Sequence, residues 1–115
     1  MVAFRIKLRT DDVIEVRMLE QGGYICPICG SVLNDAPYVP VEDVSDFVSL
    51  KEPVLGGASF NVCPTCHVEY GNDDYDDNLP VSAMWDVLRR RWLEKVGWSP
   101  DALRALRENL GVTPK

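Results

Sequence analysis

The chain has 115 residues, 46% hydrophobic and 26% charged, with a net charge of −6 and a mean hydropathy near zero. That is enough chain for one domain burying roughly 65% of its extended surface, and the composition excludes a disordered or fibrous polypeptide and any membrane-spanning helix. Acidic residues crowd the middle: residues 21–78 hold ten of them against the single basic Lys51, which argues against nucleic-acid binding there because phosphate contacts need positive potential.

Val2, Phe4, Ile6 and Leu8 alternate with Ala3, Arg5, Lys7 and Arg9, the period of a half-buried strand. After the polar break Thr10-Asp11-Asp12, Ile14, Val16 and Met18 alternate with Glu15 and Arg17. Residues 1–20 are therefore predicted to form an antiparallel β-hairpin, ended by Gln21-Gly22-Gly23. The segment lacks the apolar stretch and small-residue cleavage site of a secretory signal, which predicts a cytoplasmic location.

Tyr24-Ile25 leads straight into Cys26. Ser31 to Pro53 carries Pro37, Pro40 and Pro53 among many acidic residues and reads as loop. Gly56-Gly57 reads as a turn, and Ala58 to Val62 as a short strand feeding Cys63. Residues 79–111 read as a helical pair. In the first helix Val81, Met84, Trp85, Leu88, Trp92 and Val96 share one face, and Gly97 stands where a C′ glycine ends a helix. The second has Ser99 as N-cap, Pro100 at its first position, a Leu103, Leu106, Leu110 stripe and Gly111 as its stop.

All four cysteines fall in two matching units, Cys26-Pro27-Ile28-Cys29-Gly30 and Cys63-Pro64-Thr65-Cys66-His67. Two residues between the cysteines of a pair let both sulfurs of one turn point to a common centre. Two such turns supply four thiolates, which suits a tetrahedral metal, and a reducing compartment disfavours disulfides. The spacing predicts Cys26, Cys29, Cys63 and Cys66 as ligands of a structural zinc ion. The 33 residues between the knuckles exceed the usual range, but doubling a loop costs only about 0.6 kcal/mol, against about 10–16 kcal/mol for structural zinc.

Three other uses of these sulfurs compete. The two knuckles, with Tyr24 just before the first, resemble those of rubredoxins, which would place iron in the cage and make the chain an electron carrier. There, however, a glycine follows the second knuckle where this chain has His67. Cys63-Pro64-Thr65-Cys66-His67 also fits the c-type haem attachment pattern, but that chemistry implies export and leaves the first pair unused. Thiol–disulfide exchange would need only one pair. His67 itself reads as a donor to a sulfur or as a surface residue and stays outside the ligand set.

No catalytic constellation accompanies the cysteines. His67 has no nucleophile to serve, phosphate-binding glycine motifs are absent, and a zinc held by four thiolates has no open position for water, so the chain reads as a non-enzyme. Asp73, Asp74, Asp76 and Asp77 read as a solvated acidic loop rather than a calcium site, Trp85 and Trp92 as core, and Arg89-Arg90-Arg91 as a charged solvent face.

The run Phe60-Asn61-Val62-Cys63-Pro64-Thr65-Cys66-His67-Val68-Glu69-Tyr70-Gly71-Asn72-Asp73-Asp74 resembles that of small, uncharacterised bacterial proteins with cysteine-rich, CPCC-type knuckles. Those carry an aromatic-x-Ile-Cys-Pro-x-Cys-Gly-x-Glu-aromatic-Gly-x-Asp-Asp run followed by a tryptophan-bearing helix, as Leu88 to Leu93 and Trp98 do here. The resemblance spans about half the chain. It implies a zinc ribbon and a bacterial source, and implies no activity. Thr65 stands where such proteins have a third cysteine, and His67 where they have glycine.

The expectation is a single α+β domain over 1–115: a hairpin (1–20), a two-knuckle zinc ribbon (21–78) and two C-terminal helices (79–111). Its function is expected to be binding of another protein, with immunity or antitoxin service as one instance. The alternatives are the iron electron carrier and, more weakly, a nucleic-acid-binding ribbon that uses the basic C-terminal third.

Overall fold

A computed structural model of the chain describes residues 2–41 and 52–114. They form a mixed α+β fold, a curled six-stranded sheet with two helices. The strands are β1 (Val2–Lys7), β2 (Val13–Met18), β3 (Tyr24–Ile25), β4 (Val32–Leu33), β5 (Tyr38–Pro40) and β6 (Val54–Ala58), in the order β4-β3-β2-β1-β6-β5. Helix α1 spans Val81–Lys95 and α2 spans Pro100–Ala105, the latter running on into a π-helical turn, Leu106–Leu110.

β1 and β2 pair antiparallel from Val2↔Met18 to Lys7↔Val13. This register sets Phe4 opposite Val16 and Ile6 opposite Ile14, all four buried, while Ala3, Arg5 and Glu15 face solvent. Each such side chain removed from water contributes roughly 1.5–3 kcal/mol, and a slip of one residue would expose the whole set. Between the strands the Leu8 N–H bonds the Asp12 carbonyl, and Asp11 takes a left-handed φ of 69°. Aspartate tolerates that conformation better than most side chains.

The same turn starts the first helix. Pro80 precedes α1 and makes no side-chain cap. The Asp12 carboxylate, 69 residues upstream, accepts instead from the Val81 N–H at 3.1 Å. It supplies both the missing acceptor and a negative charge at the positive end of the helix. Val81, Trp85, Leu88 and Leu93 are the buried face, with Met84, Trp92 and Val96 half-buried beside it. At the far end the Gly97 N–H reaches the Glu94 carbonyl and the Trp98 N–H reaches the Leu93 carbonyl. This is the Schellman arrangement, with Gly97 at φ +66°. α2 begins as its sequence dictates, the Ser99 hydroxyl accepting from the Ala102 N–H and Pro100 standing at its first turn.

Two sequence-based expectations are corrected. The strand before the second knuckle is Val54–Ala58, not Ala58 to Val62, and Gly56-Gly57 lie inside it rather than in a turn. A Cβ on Gly56 would collide with the Val39 carbonyl and stand 2.7 Å from Ile6 Cγ2. Gly56 therefore serves the close approach of strands, not chain reversal. The stretch read as loop also contributes β4 and β5; its residues 42–51 lie outside the described residues.

Candidate metal centre

Each cysteine pair sits in the same backbone turn. In the first, at the tip between β3 and β4, the Cys26 N–H bonds the Ser31 carbonyl and the Gly30 N–H bonds the Cys26 carbonyl. In the second, beside the Val62↔Glu69 bridge, the Cys63 N–H bonds the Val68 carbonyl and the His67 N–H bonds the Cys63 carbonyl. Both turns need a left-handed residue after the second cysteine. Gly30 meets the requirement at φ +79°, and His67 adopts it at +65° against the preference of an L side chain.

The turns face each other and bring all four sulfurs together, each Sγ within 4.8 Å of the rest. Cys26 Sγ lies 3.8 Å from Cys66 Sγ, and Cys29 Sγ 3.7 Å from Cys63 Sγ. Four sulfurs held at about 2.3 Å around a tetrahedral ion stand about 3.8 Å apart. A disulfide would need about 2.05 Å, and all four cysteines are free. The residues thus fit a metal ion, and the identity of the ion is a separate question. Cys26, Cys29 and Cys63 are buried, whereas Cys66 is half-buried.

The electrostatics of the sulfurs agree with their packing. Hydrogen bonding within the cluster, first of all with Cys26, lowers Cys63 and brings Cys29 down to about 7. The same contacts, with Cys29 and Cys26 respectively as the largest, push Cys26 and Cys66 up. Four sulfurs crowded this closely cannot all carry charge unaided, and a divalent cation would displace their protons. The Ser31 hydroxyl stands 3.0 Å from Cys29 Sγ and 3.5 Å from Cys63 Sγ, well placed to donate to a thiolate. Tyr70 packs against the cluster; burial, and after it the charge of Cys26, holds its hydroxyl above the usual phenol range.

The helices lock the first knuckle in place. Arg89 donates to the Pro27 carbonyl at 2.6 Å and to the Ile28 carbonyl at 3.3 Å, while its other amine pairs with Asp86 at 2.8 Å. Asn109 donates to the Gly30 carbonyl at 2.8 Å, and a Cβ on Gly30 would stand 2.8 Å from the Ala105 carbonyl. Arg89 is therefore corrected from a solvent-facing charge to a tie between α1 and the first cysteine knuckle. Arg90 and Arg91 do face solvent. Periodicity could not separate the three arginines, because the carbonyls that select Arg89 lie some 60 residues away in sequence.

The acidic run is corrected in part as well. Asp73, Asp76 and Asp77 are wholly or partly exposed, but Asp74 is completely buried. Its carboxylate accepts from the Tyr38 hydroxyl at 2.5 Å, the Gly71 N–H at 2.6 Å and the Trp85 indole at 2.9 Å. Asp73 accepts from the Glu69 N–H, and Asp76 from the Asn78 and Leu79 N–H groups. These carboxylates shape the chain between the second knuckle and α1, and among the described residues the cysteines alone form a metal-competent cluster. His67 is exposed and Trp85 lies in the core. No family model, curated protein or solved structure matches the chain.

Proposed function

We propose that Cys26, Cys29, Cys63 and Cys66 hold one structural zinc ion and that the chain is a non-enzymatic protein-interaction module of zinc-ribbon character, akin to the bacterial CPCC-type proteins. The observation that carries this reading is the agreement of the 3.7 and 3.8 Å sulfur separations with the edge of a zinc–thiolate tetrahedron. Four thiolates close the coordination sphere, so the ion would staple loops rather than activate water. The hydrogen bonds from Arg89 and Asn109 to the first knuckle support the same role, since they transmit its rigidity to both helices.

Metal analysis of the purified full chain tests the assignment, and one zinc per chain is expected. Cys63→Ser is expected to lose the ion and the cooperative thermal transition. A Cys63→Ser protein that keeps a full equivalent of zinc and melts cooperatively overturns the assignment. The matching backbone of the two knuckles also favours a second reading, rubredoxin-like iron for electron transfer. Colour separates them, because ferric thiolate is red and zinc thiolate colourless.

A further inference from the structure

β6 carries two adjacent glycines, and internal packing accounts for one. Gly56 is required by the close approach of Ile6 and Val39, whereas a Cβ on Gly57 would meet nothing within 4 Å. Glycine inside a strand costs backbone entropy and forfeits a packing side chain. Strand glycines often mark a bulge, a bend or a place where a ligand or another backbone comes close, and Gly57 borders open space.

The surroundings of Gly57 fit such an approach. β1 and β6 run parallel and pair only at Ile6↔Val54 and Lys7↔Leu55. Pairing with β6 stops at Lys7, although Leu8 still bonds the Asp12 carbonyl on the β2 side, while β6 continues to Ala58. Among the described residues, the Gly57-Ala58 segment is paired with β5 alone and has an open edge on its other side. The two strands border a groove of about 450 Å³. Leu55 and Phe60, each 62% exposed, line it together with Val41 and Tyr75, so its walls are apolar.

Charge selects the occupant. Lys7 and Arg9 line the β1 side of the groove. Among the described residues, Lys7 is held only by the exposed Asp11 at 3.6 Å, and Arg9 has no charged partner. In a chain of net charge −6, these two cations at the end of an apolar groove suit a carboxylate.

We propose that this groove binds an extended, apolar peptide segment bearing a carboxylate, which adds as a strand along Gly57-Ala58 with its acidic group toward Lys7 and Arg9. Main-chain hydrogen bonds to the open edge supply affinity, and the apolar walls select alternate side chains. The inference names the docking surface of the interaction module proposed above. It is separable from the metal assignment, because zinc content and peptide binding are measured independently.

The test is selection of a library of short random peptides on the zinc-loaded full chain, followed by binding of the enriched peptides by calorimetry and amide-shift mapping. The expected peptides are apolar at alternate positions and carry Asp, Glu or a free C-terminus. Their shifts fall on Lys7–Arg9 and Leu55–Ala58. Gly57→Phe, which fills the groove, and Arg9→Glu, which reverses its charge, each weaken binding about tenfold or more while zinc content stays at one per chain. Arg9 is exposed, so that second variant keeps the test decisive if Gly57→Phe does not fold. Failure to enrich any peptide, enrichment of basic sequences, shifts elsewhere, or undiminished binding by the folded variants overturns the proposal. A zinc-free protein would instead count against the metal assignment.

Discussion

Asp74 shows how one side chain can reverse its apparent character. Four aspartates within five residues read as a solvated loop, yet this carboxylate has no exposed surface and accepts from Tyr38, Trp85 and Gly71. A buried carboxylate is tolerated only when donors replace its hydration, and here three do. Asp74→Asn keeps one oxygen acceptor and sets an N–H₂ against donors, so it should destabilise the fold by about 1–3 kcal/mol in urea unfolding. The same site fixes a pH response. Burial, and after it the hydrogen bond to Asp74, raises the Tyr38 hydroxyl above its ordinary value of 10. The folded protein therefore keeps this proton where the unfolded chain has lost it. The stability so gained is complete below pH 10 and falls as pH rises beyond it. Urea midpoints followed upward from pH 9 should show this decline, and Tyr38→Phe should lessen it, the raised Tyr70 hydroxyl supplying a further part. Nothing local in the sequence marks Asp74, since its donors Tyr38 and Trp85 lie 36 and 11 residues away.

At the scale of elements, the periodic segments were legible and the close approaches were not. Alternation over Val2–Leu8 and Val13–Met18 marks β1 and β2, because one face of each strand is buried. Gly97, Ser99 and Pro100 mark helix ends through backbone chemistry that acts within a turn. The position of β6 is not legible because Gly56 answers to Val39 and Ile6, a contact that depends on sheet order. The buried Leu93 fell outside the predicted stripe of α1 for a similar reason, since the packing of α1 draws it into the core. The two knuckles, alike in backbone, offer opposite tests. His67→Gly removes the cost of a left-handed side chain and should stabilise the protein by about 1 kcal/mol. Gly30→Ala imposes that cost and drives a methyl toward the Ala105 carbonyl, so it should destabilise by at least about 1–2 kcal/mol. Thermal unfolding of the zinc-loaded variants checks both signs.

For the whole molecule, the sulfur cluster joins segments that local structure alone would leave apart. Cys29 and Cys63 stand 34 residues apart in sequence and 3.7 Å apart in space. The first knuckle meets the C-terminal helices through Arg89, Asn109 and Gly30, so the centre ties together the sheet, the second knuckle and both helices. The cysteine cluster was readable from the sequence because two Cys-x-x-Cys units fix both chemistry and spacing. The sheet order β4-β3-β2-β1-β6-β5 was not, since its parallel β1–β6 pairing depends on a long crossover that no local pattern specifies. Acid should also release the ion, because protons compete for thiolates; zinc retention measured from neutral pH downward should fall as the sulfurs protonate. The most direct test of the account is thermal unfolding of the purified full chain before and after removal of its metal by a chelator under reducing conditions. The account predicts that the cooperative transition collapses with loss of one zinc per chain and returns when zinc is restored. An unchanged transition in protein shown to be metal-free would contradict it.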